Sequence, residues 1–238
     1  MKITLFIPCF VERVAPRTGL AMAEVLERLG HEVDYPERQT CCGQPAFKSG
    51  YWKEARSTAG HFLDVFGGAE TVVAPSGSCT DMVKSGFGEL FKGTEREQEA
   101  LALGGRTHEF SEFLVNVLNV VDLGARFPGR VTFHDGCHSL REIGVKTPPR
   151  DLLRWVKELE LVEMEGAEKC CGFGGTFSVK HPDISTAMVK AKCANIASTA
   201  ADFVVSNDPS CLIQVQSVID RQKLPIKALH LAEVLASR

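Results

Sequence analysis

Thr40-Cys41-Cys42-Gly43-Gln44-Pro45 is one of two places where adjacent cysteines run straight into a glycine, and Lys169-Cys170-Cys171-Gly172-Phe173-Gly174 is the other. Lone cysteines flank both pairs. Cys9 precedes Cys41 by 32 residues and Cys79 follows Cys42 by 37; Cys137 precedes Cys170 by 33 and Cys211 follows Cys171 by 40. The sequence leading into the last member repeats as well, Val72-Val73-Ala74-Pro75-Ser76-Gly77-Ser78-Cys79 against Val204-Val205-Ser206-Asn207-Asp208-Pro209-Ser210-Cys211. Beyond the cysteines, His108-Glu109-Phe110-Ser111-Glu112-Phe113-Leu114 matches His230-Leu231-Ala232-Glu233-Val234-Leu235. Anchors kept in one order imply an internal duplication. The expected halves are residues 1–125 and 126–238, joined by the Gly- and Pro-bearing stretch 124–129.

Each half alternates strand and helix patterns. Residues 3–8 are an apolar run of strand length and 31–35 and 71–74 read as two further strands, whereas 18–29 places Met22, Val25, Leu26 and Leu29 on one helical face and 51–66 reads as a second helix. In the second half the strands fall at 131–134, 159–163 and 203–206, and the helices near 150–157 and 182–200. Strands separated by helices imply parallel sheets built from right-handed crossovers. The expected class is α/β, in two pseudo-repeated halves, each a small, mostly parallel sheet flanked by helices. Every patterned cysteine follows a strand, and segments after the strands of an open parallel sheet gather at its carboxyl edge. Cys9, Cys41, Cys42 and Cys79 should converge there in one half, and Cys137, Cys170, Cys171 and Cys211 in the other.

Composition narrows the setting. The chain has 238 residues, a formal charge of −3 and 44 % apolar residues, enough to bury a core unaided. No basic block gives a case for a nucleic-acid or anionic-membrane partner, and no apolar run reaches the roughly 20 residues of a bilayer span. Lys2 followed by 3–10 faintly imitates a signal peptide, but Pro8 breaks the run and no small-residue cleavage site follows. Nine cysteines, an odd number, lie below the density of disulfide scaffolds at about 8 to 10 %. A cytoplasmic location with reduced thiols is expected, where clustered cysteines mean metal or redox chemistry.

Four thiols per half are open to zinc, an iron–sulfur cluster or thiol–disulfide exchange. Structural zinc draws ligands in pairs two to four residues apart. Adjacent ligands suit a larger object with separate corners. A glycine after each pair permits close approach, and Gly172, Gly174 and Gly175 could aim backbone N–H groups at an anionic cluster. His134 and His138 flank Cys137 and are either satisfied by backbone or placed to hydrogen-bond cluster sulfur or move protons. Cys193 reads as a core residue, His108 and His230 as structural, and Ser76 and Asp208 as solvated turn residues.

The doubled pattern resembles the cysteine-rich CCG domain found in the B-type subunit of heterodisulfide reductase and in the iron–sulfur subunit of glycolate oxidase. It is most similar to the lactate utilisation protein A family. Phe6-Ile7-Pro8-Cys9, Val33-Asp34-Tyr35-Pro36, residues 39–46, Ser49-Gly50-Tyr51, Pro75 to Cys79, His134-Asp135-Gly136-Cys137-His138 and Cys170 to Gly175 carry that resemblance across the whole chain. The reductase pattern ends each repeat in Cys-x-x-Cys, but here Ser76 and Asp208 stand at the first of those positions. Five thiols per site become four, which favours an ordinary [4Fe–4S] cluster in each repeat over a noncubane one.

No G-x-G-x-x-G, no P-loop and no ferredoxin cysteine run is present, so electrons would have to pass to another protein. The resemblance implies an iron–sulfur redox subunit in the oxidation of L-lactate to pyruvate. Its implied partners are a B-type subunit with ferredoxin-like clusters and a C-type subunit. The rival readings are a zinc-stabilised or metal-free interaction module, a thiol or heterodisulfide oxidoreductase, and a glycolate oxidase iron–sulfur subunit.

Overall fold

Short β-branched and aliphatic runs become strands, and the longer periodic segments between them become the crossover helices. The computed structural model describes all of residues 1–238, which group into a unit of Met1–Phe110 and a unit of Ser111–Arg238. In the first, β1 (Lys2–Leu5), β2 (Glu32–Asp34), β3 (Val72–Ala74) and β4 (Thr107–Glu109) pair in parallel in the order β2-β1-β3-β4. In the second, β5 (Arg126–His134), β6 (Lys157–Leu161), β7 (Phe203–Ser206) and β8 (Lys227–His230) repeat it as β6-β5-β7-β8. In each sheet the chain leaves its first strand toward one edge and returns to the other side of it. The switch points therefore lie between β1 and β3 and between β5 and β7, where open parallel sheets bind ligands.

The helix Pro16–Arg28 buries Met22, Val25 and Leu26, as its spacing predicts. Trp52–Phe66 buries Ala55, Ala59, Phe62, Leu63 and Phe66. Phe62 stacks on Phe66 with ring centroids 4.3 Å apart, and Phe6 meets Phe62 edge to face at 4.7 Å. The second core uses aliphatic side chains instead, Val189 and Ile196 of the helix Pro182–Ser198 against Val215 and Ile219 of the helix Pro209–Gln222.

Some elements depart from the sequence expectation. β4 and β8 have only three and four residues and include Thr, His, Glu and Lys, so they carry no apolar run. β5 extends back to Arg126 with a register irregularity between Arg126 and Gly129, taking in part of the expected linker. The helix expected at 150–157 lies at Thr147–Arg154, because Pro148 and Pro149 fill its first turn, where no N–H is needed. The π-helical turn Phe113–Val117, which follows β4 in sequence, packs on Thr147–Arg154 within the second unit. No helix is long and apolar enough to cross a membrane.

Candidate metal centres

Each sheet's carboxyl edge collects four cysteines. In the first unit Cys9 begins the helix Cys9–Val14 after β1, Cys41 and Cys42 lie on the loop after β2, and Cys79 lies in the helix Gly77–Asp81 after β3. Cys9 hydrogen-bonds Cys41, and Cys42 hydrogen-bonds both Cys41 and Cys79. In the second unit Cys137 begins the helix Cys137–Arg141, Cys170 and Cys171 follow β6, and Cys211 lies in the helix Pro209–Gln222. Cys137 hydrogen-bonds Cys170, and the Sγ atoms of Cys171 and Cys211 are 2.9 Å apart. All are free thiols, Cys42, Cys171 and Cys211 buried, Cys9 exposed and the rest half-buried.

The glycines of the two motifs set this geometry. Gly43 has φ +83° and Gly172 φ +84°, a left-handed region that side chains with a Cβ resist. A Cβ on Gly43 would lie 3.2 Å from the Ala55 carbonyl oxygen, and one on Gly172 only 2.7 Å from that of Ser185. The same backbone turn brings the N–H of Gly43 and of Gly172 to 3.4 Å from the sulfur of Cys41 and Cys170. Around the first site, buried Gln39 accepts from the Ile7 N–H at 2.7 Å and donates to the Leu5 carbonyl at 3.2 Å, fastening the second cysteine loop to the end of β1. Gln44 donates to the Ser78 carbonyl at 2.7 Å, fastening it to the helix of Cys79.

The charge state follows from these contacts. Hydrogen bonds from Cys42 and Cys9 hold the Cys41 thiol down at about 3, and those from Cys137 and Cys171 hold Cys170 at about 2. Their donors move the other way. Cys9 and Cys42 are pushed up chiefly by the bond to Cys41, and Cys137 and Cys171 chiefly by that to Cys170, with burial adding to each. Cys211 gains from the Cys171 hydrogen bond, which lowers it, but burial and Asp208 outweigh this and raise it. Each half thus holds a thiolate with neighbouring S–H groups aimed at it. Soft thiolate sets select zinc, copper(I) or iron–sulfur clusters, and four cysteines at one edge fit a four-thiolate centre.

The second site carries more than thiols. His134, 1 % exposed, sets Nδ1 3.2 Å from the Ala167 carbonyl oxygen, while its Nε2 is buried without a hydrogen-bond partner. A ring nitrogen of His134 and the sulfurs of Cys171 and Cys211 all lie within 4.8 Å of one another. Burial, then the charge of Lys192, pushes His134 down to about 3, so its imidazole is neutral. Lys192 is itself buried, which lowers its pKa, and its Nζ donates to the carbonyls of Gly166 at 2.6 Å and Ala167 at 3.1 Å. Asp135 receives both terminal nitrogens of Arg150, at 2.7 and 3.0 Å, and Arg150 also grips Glu163 at 2.6 and 3.0 Å. Sequence reasoning missed Lys192 and Arg150, since a lysine or an arginine in a helix reads as solvent-facing.

The remaining sequence candidates have settled local roles. Nδ1 of His138 lies 3.5 Å from the Cys137 sulfur. His230 caps the helix Leu231–Ala236, its Nδ1 accepting from Ala232 N–H while Glu233 accepts from the His230 N–H. Cys193 is buried in the second core, with its sulfur 3.7 Å from the Val215 carbonyl. Ser76 and Asp208, expected as solvated turn residues, are instead 3 % exposed. They sit at helix N-caps under the sheet edge, and Asp208 accepts from the Ser210 N–H at 3.2 Å and hydroxyl at 2.6 Å.

Known proteins share this architecture. The CCG cysteine-rich domain matches twice, at residues 3–84 and 131–216. Lactate utilization protein A of Geobacillus sp. (strain WCH70) is 47% identical over 239 residues, covering 100% of both chains. The protein of that name from Oceanobacillus iheyensis is 45% identical over 99% of this chain and 96% of its own, and that from Bacillus pumilus 44% identical over 100% of both. Among solved structures, a hypothetical protein from Helicobacter pylori superposes with a TM-score of 0.63 at 10% identity. It covers 98% of this chain, which spans 48% of that one, and the likeness is one of fold.

Proposed function

The chain belongs to the lactate utilization protein A family of CCG cysteine-rich proteins, and from that premise we propose that it is an iron–sulfur redox subunit acting in the oxidation of L-lactate to pyruvate. The observation that carries this reading is the gathering of four thiols at the carboxyl edge of each sheet. Cys9, Cys41, Cys42 and Cys79 hold one [4Fe–4S] cluster, and Cys137, Cys170, Cys171 and Cys211 hold the other. Such clusters, when bound, supply one-electron transfer. The protein's own groups set their surroundings: buried Cys42, Cys171 and Cys211 keep water from one side of each site, and the N–H groups of Gly43 and Gly172 favour negative charge on sulfur.

Oxidation of a 2-hydroxy acid to a 2-oxo acid releases two electrons and two protons, so two one-electron sites provide one for each electron. With no nucleotide or nicotinamide motif in the sequence, the electrons pass to partner proteins, a B-type subunit with ferredoxin-like clusters and a C-type subunit. The repeats at 1–125 and 126–238 are then two copies of one cluster-binding module. The test is iron, acid-labile sulfide and zinc per chain after anaerobic purification, with Cys42→Ala and Cys171→Ala beside the parent. About eight irons and eight sulfides are expected, with about half lost in each variant. Zinc alone, no metal after reconstitution, or unchanged iron in both variants would overturn the assignment.

A further inference from the structure

The two halves differ beneath their cysteines. Phe6 stands three residues before Cys9, and His134 stands three before Cys137. Phe62 follows Ala55, whose carbonyl faces Gly43, by seven residues, as Lys192 follows Ser185, whose carbonyl faces Gly172. The first half fills these places with an edge-to-face aromatic pair at 4.7 Å. The second fills them with an imidazole and an ammonium, both buried. Polar groups are costly to bury without partners, so the exchange calls for a reason.

Hydrogen bonding supplies one. A carbonyl oxygen only accepts, so the Nδ1 that faces Ala167 at 3.2 Å carries the ring proton. The same oxygen receives Lys192 Nζ at 3.1 Å and the Asp135 backbone N–H at 3.2 Å, which fixes where the ring is anchored. A neutral ring protonated at Nδ1 offers a lone pair at Nε2, the buried atom with no partner, and His134 shares a 4.8 Å cluster with the sulfurs of Cys171 and Cys211. Metal-ligating histidines are held this way, one nitrogen donating to a backbone carbonyl and the other free for the metal.

We propose that His134 supplies an imidazole nitrogen to the metal centre of the second half, beside the thiolates of Cys137, Cys170, Cys171 and Cys211, so that the two centres of the chain are chemically unlike. This deepens the reading above and rests on its premise that the thiols bind metal. An added neutral imidazole leaves the four sulfur charges in place, so the difference between the halves comes from Lys192, whose buried ammonium favours the added electron at the second centre. The second half is therefore where the first electron comes to rest, and the all-thiolate first half has the lower potential.

The test uses the full chain purified anaerobically, with nitrogen-15 histidine in one preparation and ordinary histidine in another. Iron and sulfide counting judges the iron–sulfur reading separately. Pulsed EPR of the reduced protein should then show an imidazole-nitrogen coupling that changes with the isotope, is lost in His134→Phe and His134→Gln, and survives in His138→Asn. His134→Phe copies the first half's own residue, and the isotope alters no side chain, so a misfolded variant does not remove the answer. Should the chain bind zinc, the iron–sulfur reading fails while the inference is judged by nitrogen-15 NMR, with a metal-bound histidine signal absent from His134→Phe supporting it. No histidine coupling in the metal-loaded protein, a coupling that survives both His134 variants, or a second half that binds no metal overturns it.

Discussion

Replacing Arg150 by methionine should destabilise the second unit by about 3–5 kcal/mol, the usual result of stripping one partner from a buried ion pair. The magnitude comes almost wholly from Asp135. Its side chain is 2 % exposed and takes both terminal nitrogens of Arg150, so the variant leaves a carboxylate buried without its cation. Glu163 is half exposed, and the loss of its pairing with Arg150 contributes only about 0–1 kcal/mol. The two tryptophans make the measurement direct, since Trp52 lies in the first unit and Trp155 in the second. In a Trp52→Phe background, the fluorescence of Trp155 during urea unfolding of the reduced, metal-free chain reports the unit that holds Arg150. With a slope near 2 kcal/mol per molar urea, the midpoint should fall by about 2 M. Adding Asp135→Asn should restore much of the loss, because no buried charge is then left over. A cost for Arg150→Met below about 1 kcal/mol, or a double variant as damaged as the sum of the singles, would refute the reasoning.

Two further outcomes follow from the site geometry. Gly43→Ala and Gly172→Ala each force a left-handed residue, worth about 1–2 kcal/mol, but only at Gly172 does the new Cβ meet a backbone carbonyl at 2.7 Å. Gly172→Ala should therefore lower thermal stability and metal content in its half more than Gly43→Ala does in the other, and equal losses would contradict the close approach. Metal uptake should also weaken as pH falls. Cys9 and Cys42, held protonated by the bond to Cys41, must each release a proton to bind, so affinity drops at least about 100-fold per pH unit at the first site. Competition with a chelator between pH 6.5 and 8 measures this, and a flat profile would show that those thiols are already ionised.

The doubled Cys-Cys-Gly motif and the position of each cysteine after a strand were enough to read the two halves, their parallel sheets and the edge at which thiols gather. Those are local patterns that repeat, and repetition is visible in one sequence. What stayed hidden depends on partners far away along the chain. The role of His134 is set by Ala167, 33 residues on, and that of Asp135 by an arginine at the start of a Pro-led helix. Lys192 lies on a helix whose apolar pattern is weak, so nothing in the sequence points its ammonium inward. Ser76 and Asp208 read as turn residues because serine and aspartate favour turns and helix N-caps alike; only the packing of the sheet edge over them decides that they are buried. β4 and β8 escaped because strands of three or four residues carry too few side chains to show a period.

The placement of the π-helical turn Phe113–Val117 bears on how the molecule can be dissected. By sequence it closes the first copy of the motif set, yet it lies against Thr147–Arg154, and Phe113 and Leu114 are fully buried. Scission at the apparent seam near residue 125 separates that turn from the helix it packs on. The genetic unit and the folding unit of this duplicated protein are thus out of phase: the second cysteine set travels as a self-covered fragment only if it takes with it residues that the repeat pattern credits to the first.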